Sequence, residues 1–248
     1  MGILLSNEKS PRISVKNIIP LAKNISEILH DKPWGGRRCL IVGGGSSLEL
    51  VPPSIVSGEL SIGINKSFQK FNTKINYSMD SQFYELVNKT VEHTSDPEQY
   101  KLQEDWKTYK GIKTFLRLNK AYQFDPSVYY INALTDKKIS YDLEKGIYPL
   151  NNSGGGAIML AVALGTSQIG LLGFDMTFPK GTMKTHFHNG YKNQNIHTFQ
   201  DKLDKFNTAI CELAPLIYAE GIEVYNLNLN SALNCFKKIT VEEFMKDC

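Results

Sequence analysis

The chain has 248 residues, of which 42% are hydrophobic and 21% are charged. This balance is typical of a globular protein with a substantial core. The formal net charge is only +3 and the basic residues are scattered, so the composition gives no indication of nucleic-acid binding. Four cysteines without CxxC spacing indicate neither a zinc site nor a disulfide framework. We therefore expect reduced thiols in a cytoplasmic protein that folds as a single domain over residues 1–248.

The first predicted elements are a helix, a strand and a glycine turn. Apolar residues at helical spacing predict an amphipathic helix over residues 16–30. A buried strand over 39–42 then runs directly into three glycines and two serines at 43–47. Consecutive glycines let a backbone approach a ligand closely, as phosphate-binding turns do. Neither the P-loop nor the GxGxxG spacing is present, and a turn needed only for chain geometry is the alternative.

Polar residues follow the next two predicted strands at their carboxyl ends. Asn65 follows a strand over 60–64, and Asp80 follows a strand over 75–79. Because parallel strands end at the same edge of a sheet, we expect both side chains to lie beside the glycine turn. The alternatives are a left-handed turn residue for Asn65 and a helix cap for Asp80.

Residues 151–178 carry no charge before Asp175. A run of this length could span a bilayer, but glycines and polar residues interrupt it and no basic cluster flanks it, so we expect no membrane span. The pattern instead predicts an apolar helix over 157–164, capped by Ser153, and then a buried strand over 169–172. The glycines after Ser153 place free N–H groups where anions bind. Asp175 falls at the carboxyl end of the strand, where open α/β sheets hold ligands.

Residues 176–198 are rich in Lys, Asn, Thr and Gly and have little apolar periodicity, which indicates a lid over this strand end. His186, His188 and His197 lie in it. A His-x-His pair can bind a metal, but no third ligand stands at helical spacing. A lid histidine can instead act as a general base or contact a phosphate at neutral pH. The alternative is a solvated histidine without a role.

The remaining predicted elements complete the fold. Strands near 113–116, 128–131 and 222–225 are indicated, with a long helix over 198–220 and a short terminal helix over 241–246. Strands that are apolar on both faces belong to parallel sheets covered by helices. The fold class that we predict is α/β, a Rossmann-like, mostly parallel sheet with helices on both faces and a lid segment.

Together, the segments GGGSSL, GIN, NSGGGAIMLAVALG and GFD, with Asp80 after the third strand, resemble a known superfamily. It comprises the bacterial family 42 sialyltransferases, the motility accessory factor glycosyltransferases and the archaeal 6-hydroxymethyl-dihydropterin pyrophosphokinases. The resemblance covers roughly residues 39–80 and 151–188. It implies a Rossmann-like core and a nucleotide at the glycine turn.

The sialyltransferases have a G-N-G-P-S-L turn that cradles a CMP-sugar, and residues 43–48 stand in its place. The resemblance implies nucleotide contacts for Asn65 and for Ser153 with Gly154. Gly44 lacks the side-chain amide of that family, and Met176 and the residue after it offer no phosphate-binding tyrosine. A histidine that follows the GFD segment closely is more similar to the motility accessory factor and pterin kinase pattern.

The function that we predict is glycosyl transfer from a nucleotide-activated sugar, with a CMP-nonulosonic acid as a candidate donor and a glycan or small molecule as acceptor. The preferred reaction needs no metal or other cofactor, and a homo-oligomer is compatible with the sequence. A pyrophosphokinase, with Asp80 and Asp175 on Mg²⁺, is the first alternative. A non-catalytic nucleotide-binding scaffold is the second. The predicted catalytic residues are His186, His188 and Asp175, and the predicted nucleotide-binding residues are Gly43, Gly44, Gly45, Ser46, Ser47, Asn65, Asp80, Ser153, Gly154 and Gly155.

Overall fold

The computed structural model describes residues 23–88, 96–117, 126–178, 186–188 and 196–246. Within these ranges the strands are β1 Arg38–Val42, β2 Ser61–Ile64, β3 Ile75–Ser78, β4 Ile112–Arg117, β5 Val128–Asn132, β6 Gln168–Leu172, β7 Glu223–Asn226 and β8 Lys237–Lys238. The α-helices are α1 Ser81–Asn88, α2 Pro97–Thr108, α3 Ser153–Ala163, α4 Ile196–Cys211, α5 Ala214–Ala219 and α6 Val241–Lys246. Short 3-10 helices cover Ile25–Glu27, Ser46–Leu50, Pro53–Ile55 and Asn65–Gln69.

The strands form one parallel sheet in the order β5-β4-β3-β2-β1-β6-β7-β8. Strand β1 lies inside the sheet, and Val42 at its end is level with Gly63 of β2 and Leu172 of β6. The chain builds outward from β1 to β5 and then crosses back to β6. The direction of winding therefore reverses between β1 and β6, and such a switch point leaves a crevice at the carboxyl ends of the strands.

Helices cover both faces of this sheet. Cys39 and Ile41 of β1 belong to the large core cluster that includes α3, whereas Leu40 and Val42 face a second cluster that includes Phe244 of α6. Helix α3 is buried along its length, which explains why its sequence is apolar nearly all round. The predicted α/β class, a Rossmann-like parallel sheet between helices, is confirmed.

The predicted helix over residues 16–30 is not continued in the described part of that range, which begins at Lys23. Asn24 forms a parallel β-bridge with Tyr130 of β5. Only the 3-10 turn Ile25–Glu27 follows it in this range. The Asn24 side chain accepts a hydrogen bond from the Ser26 N–H, and Glu27 caps the Asn24 N–H in return. This capping box starts a turn at Asn24 and prevents a helix from running through it.

Two further helix predictions need correction. The N-cap of α3 is Asn152 rather than Ser153, because the Asn152 side chain accepts the Gly155 N–H at 2.7 Å. The long helix predicted over 198–220 is divided into α4 and α5. Pro215 lies in the first turn of α5, where its missing N–H is tolerated but where it cannot continue a preceding helix.

The expectation of reduced thiols is wrong for one pair of cysteines. Cys211, at the end of α4, forms a disulfide with Cys235, and their Cα atoms lie 5.3 Å apart. Cys39 is a buried free thiol in β1. Disulfides persist in oxidising compartments, so the cytoplasmic location loses the support of the thiols and stays a prediction. Among the helices described, none is both long and apolar enough to cross a bilayer.

Candidate functional site

A cavity of about 420 Å³ lies at the carboxyl ends of the central strands. Residues that directly follow β1, β2, β3 and β6 all reach it, so it occupies the crevice at the switch point. The other walls come from the start of α3, from residues 186–188 and from one side of α4. The lining residues used below are Gly43, Gly44, Gly45, Asn65, Lys66, Asp80, Asn152, Ser153, Gly154, Asp175, His186, His188, Phe199, Lys202 and Phe206.

The three glycines after β1 have different neighbours. A Cβ atom on Gly43 or Gly45 would lie 2.7 Å from the carbonyl oxygen of Gly173, and on Gly45 it would also lie 2.5 Å from the Asp175 carboxylate. These two glycines are thus required for close packing against the end of β6. A Cβ atom on Gly44 would meet only the His186 ring, at 3.3 Å. Gly44 is therefore the member of the turn that borders the space beside the lid histidine.

Asp175 is the centre of a hydrogen-bond cluster and is only 7% exposed. Its carboxylate accepts the Ser47 N–H at 2.9 Å, the Ser47 hydroxyl at 2.5 Å and the Asn228 amide at 2.8 Å. The Ser46 hydroxyl adds a longer contact of 3.4 Å. Ser46 and Ser47 therefore use their hydroxyls on Asp175 and do not line the cavity. The cluster joins the glycine turn, the end of β6 and the loop after β7.

The first turn of α3 forms another wall. Ser153 and Gly154 line the cavity, and their N–H groups stand in the first turn, where a helix offers no intrahelical acceptor. The Ser153 hydroxyl accepts the Met79 N–H at 3.3 Å, which ties this turn to the end of β3. Gly155 lies outside the cavity: a Cβ atom there would be 2.9 Å from the Leu150 side chain.

The polar residues after β2 and β3 both border the cavity. Asn65 has a left-handed backbone with φ of 51°, and its carbonyl accepts the Asn76 amide at 3.1 Å. The Asn65 Oδ1 atom is buried and has no hydrogen-bond partner among the described residues. Asp80 accepts the Gln82 N–H at 2.9 Å, which is the helix-cap contact at the start of α1. Asn65 thus presents an unused acceptor, whereas one Asp80 oxygen is engaged.

His186 and His188 lie together on the lid side. Their rings are stacked with centroids 5.2 Å apart, and the Phe187 N–H between them donates to the Gly44 carbonyl at 3.2 Å. Burial lowers the pKa of His186 to about 4, with further effects from the charges of Lys202 and Lys66. Burial also lowers the pKa of His188 to about 3, with further effects from His186 and Lys66. Both imidazoles are therefore neutral at pH 7.

The rest of the predicted lid is only partly described. Residues 179–185 and 189–195 lie outside the described ranges, and residues 196–198 belong to α4. His197 is within α4, and its side chain is outside what the structure describes. Lid behaviour over 176–198 therefore stays a prediction.

The sequence did not single out two lysines of the site. Lys66 directly follows Asn65, so its position after a buried strand was a usable signal. Lys202 lies on α4, whose amphipathic pattern does not distinguish it from other exposed lysines. Phe199 and Phe206 flank Lys202 on the cavity side of the same helix. Among the described residues, no group of three or more His, Cys, Asp or Glu side chains could hold a metal ion.

The fold and the cavity define a Rossmann-like α/β protein whose switch-point crevice is lined by glycines, a helix N-terminus, two histidines and two lysines. The sequence matches no protein-family model and no curated protein. Several solved structures resemble its fold. Three of them are sialyltransferase CstII from Campylobacter jejuni with cytidine-5'-monophosphate, CST-II with a trisaccharide acceptor and CMP, and a point mutant of alpha-2,3/8-sialyltransferase CstII.

These likenesses are distant. The first shares 16% identity over 83% of this chain and 86% of that chain, with a TM-score of 0.46. The second shares 16% identity over 82% and 86%, and the third 17% over 82% and 87%, each with a TM-score of 0.47. At this identity and score they assign no reaction to the chain. The resemblance to motility accessory factors and pterin pyrophosphokinases stays a prediction.

Proposed function

We propose that the protein is a glycosyltransferase that binds a nucleotide-activated sugar in the switch-point cavity. The observation that carries this proposal is the convergence of Gly44, the first turn of α3 and the neutral histidine pair on one cavity of about 420 Å³. A volume of this size suits a small-molecule ligand. The motif resemblance points to the same ligand class and makes a CMP-nonulosonic acid a candidate donor.

The phosphate of the donor is expected near α3. The N–H groups of Ser153 and Gly154 stand at the positive end of the helix dipole, which favours an anion. Gly44 lines the same cavity without a Cβ atom in the way. Asn65 lines the same cavity, and its Oδ1, buried and without a partner among the described residues, would accept a ligand N–H or O–H group after the side chain rotates. These contacts provide recognition of both a phosphate and a nucleoside.

The histidine pair supports the transfer step. An acceptor hydroxyl attacks the anomeric carbon, a new C–O bond forms, and the bond between that carbon and the phosphate oxygen breaks. One imidazole takes the proton of the hydroxyl, and the phosphate oxygen leaves with the bonding electrons. His186 and His188 are neutral at pH 7, so each ring has a lone pair that can take this proton, and the lowered pKa makes each a weak base in the ligand-free protein. A bound phosphate raises the imidazole pKa and makes the base stronger.

The hydrogen bonds of Asp175 and Asp80 favour glycosyl transfer over the pyrophosphokinase alternative. Asp175 is committed to Ser47 and Asn228, so Mg²⁺ on its oxygens would have to displace those hydrogen bonds. Asp80 caps α1 with one oxygen. The geometry thus gives a stronger role to the histidines than to a carboxylate pair.

A thermal-shift screen tests the proposal, because a ligand that binds only the folded state raises its stability. The ligands are CMP, CMP-sialic acid, UDP- and GDP-sugars, ATP and GTP, each with Mg²⁺ and with EDTA. We expect stabilisation by one nucleotide-sugar class in EDTA. Stabilisation by ATP or GTP only with Mg²⁺ would support the pyrophosphokinase instead.

Turnover is then measured as release of the free nucleotide from the stabilising donor in the presence of acceptor hydroxyl compounds. The double variant His186→Asn, His188→Asn should still bind the nucleotide and release far less of it. His30→Asn is the matched control, since His30 is exposed, does not line the cavity and contacts the Ser26 carbonyl instead. Parent-level release by the double variant would exclude the histidines as the base. If the parent and the double variant bind the nucleotide equally and neither releases it, the protein is a non-catalytic scaffold.

A further inference from the structure

Lys66 and Lys202 bring positive charge to the cavity from two separate walls. Lys66 is the second residue of the 3-10 helix Asn65–Gln69 and is half-buried, whereas Lys202 lies in the second turn of α4. Both residues line the cavity that also contains the first turn of α3. Met176 and Thr177, which follow β6, also line the cavity, and neither carries a positive charge. The two lysines are thus the cationic side chains that line the cavity among the described residues.

We propose that Lys66 and Lys202 bind the phosphate of the nucleotide and neutralise its charge as it departs. This inference rests on the proposed nucleotide site and extends it to residues that no motif assigns. An ammonium group makes a charge-assisted hydrogen bond to a phosphate oxygen that is about twice as strong as a neutral one. Two such groups stabilise the negative charge that develops on the leaving oxygen, a role that metal ions have in other transferases.

Asp80 and Asp175 also line the cavity, and hydrogen-bond donors hold both carboxylates. The Asp175 charge is stabilised by the donors on Ser46, Ser47 and Asn228, and Asp80 is stabilised at the start of α1. Burial lowers the pKa of Lys66, and the charges of Glu98 and Asp96 at the start of α2 act in the opposite direction.

The lysine charges also act on the imidazoles, whose pKa is lowered mainly by burial. The charges that act on His186 come from Lys202 and Lys66, and Lys66 also acts on His188. Each of these charges lowers the pKa of the ring. Lys66 and Lys202 therefore interact electrostatically with the histidine pair across the same cavity.

The test compares Lys66→Gln and Lys202→Gln with the parent by calorimetric titration of three probes: inorganic pyrophosphate, CMP and cytidine. Lys205→Gln is the control on the same helix, because Lys205 lies in the outer groove of α4 with Asp201 and Asp204. Lys74→Gln is the control for Lys66, since Lys74 is exposed beside β3. We expect each site variant to weaken CMP and pyrophosphate about tenfold, the effect of one charge-assisted hydrogen bond. Cytidine binding and both control variants should stay at the parent level.

A second readout needs no ligand. In an NMR titration of the imidazoles, Lys66→Gln should raise the pKa of both His186 and His188, because the lysine charge lowers them. Lys205→Gln should leave both values unchanged. A variant that has lost its fold would instead show the pKa values of His186 and His188 in their ordinary range.

The outcomes separate this inference from the proposed function. If pyrophosphate binding depends on both lysines but no nucleotide binds, the anion site stands and the glycosyltransferase proposal fails. If nucleotides bind and the lysine variants bind CMP as tightly as the parent does, the nucleotide site stands and the lysine inference fails. The inference also fails if the parent binds neither pyrophosphate nor CMP more tightly than cytidine, or if Lys205→Gln weakens binding equally.

Discussion

Replacement of Asp175 by asparagine tests whether this residue acts on the chemistry or on the structure. Its carboxylate accepts three hydrogen bonds of 2.9 Å or less, two from Ser47 and one from Asn228. Asparagine keeps the shape but places an NH₂ group against a donor, so at least one buried donor loses its acceptor. Hydrogen bonds to charged groups contribute roughly 1.5–3 kcal/mol each. We expect Asp175→Asn to destabilise the protein by about 3 kcal/mol, allowing for one or two lost bonds.

Thermal unfolding measures this effect. For a chain of this length about 1 kcal/mol corresponds to about 2–4 °C, so Tm should fall by roughly 6–12 °C. Asp201→Asn, on the exposed side of α4, should change the free energy of unfolding by less than about 0.5 kcal/mol. Nucleotide affinity of Asp175→Asn should fall together with its stability, because the glycine turn loses its anchor. A variant with the parent Tm but greatly reduced turnover would refute this reasoning and give Asp175 a catalytic role.

Three more predictions follow from the described contacts. Gly45→Ala should destabilise the protein by about 1–3 kcal/mol, because the added Cβ atom clashes with Asp175 and the Gly173 carbonyl. Gly44→Ala should keep the parent Tm and weaken nucleotide binding. Equal losses of Tm in the two variants would contradict the different roles of the two glycines. Reduction of the Cys211–Cys235 disulfide should lower the free energy of unfolding by about 3 kcal/mol, as expected for a loop of 24 residues, and Tm should fall accordingly. The Tm of Cys235→Ser should not change with reductant. Alkylation of Cys235 without prior reduction would show that the disulfide is not formed. The free energy of unfolding should fall as pH decreases from 7 toward 4. The reason is that His186 and His188 protonate near their ordinary pKa of 6.5 in the unfolded chain but only near about 4 and about 3 in the folded protein. Unfolding scans of the double variant His186→Asn, His188→Asn should show a weaker pH dependence, and an unchanged dependence would contradict the lowered pKa values.

The parts of the fold that follow from local sequence could be predicted. The four strands that end at the glycine turn, Asn65, Asp80 and Asp175 were recognisable from their apolar residues. These form a continuous run in β1, as burial on both faces requires, and alternate with Asn76 and Ser78 in β3. Their common edge then follows from parallel pairing. The structure places ten of the predicted residues on one cavity: Gly43, Gly44, Gly45, Asn65, Asp80, Ser153, Gly154, Asp175, His186 and His188.

Features that depend on distant partners could not be predicted. Asp175 could be recognised at a strand end, but its hydrogen bonds to Ser47 and Asn228 exist only after the segments around them meet. The pairing of Cys211 with Cys235 has no spacing signal. The choice between Asn152 and Ser153 as the cap of α3 was also open, because both residue types cap helices well.

The glycine turn combines a structural and a functional requirement in consecutive residues. Gly43 and Gly45 permit the backbone to pack on the end of β6, which a Cβ atom would prevent. That packing holds Gly44 between β1 and the histidine pair, where its carbonyl accepts the Phe187 N–H. The same turn therefore fixes the position of the lid histidines relative to the first turn of α3. We propose that the phosphate binds at α3 and that the proton moves to a histidine. The packing of the glycine turn on the end of β6 therefore sets the distance between the phosphate site and the base.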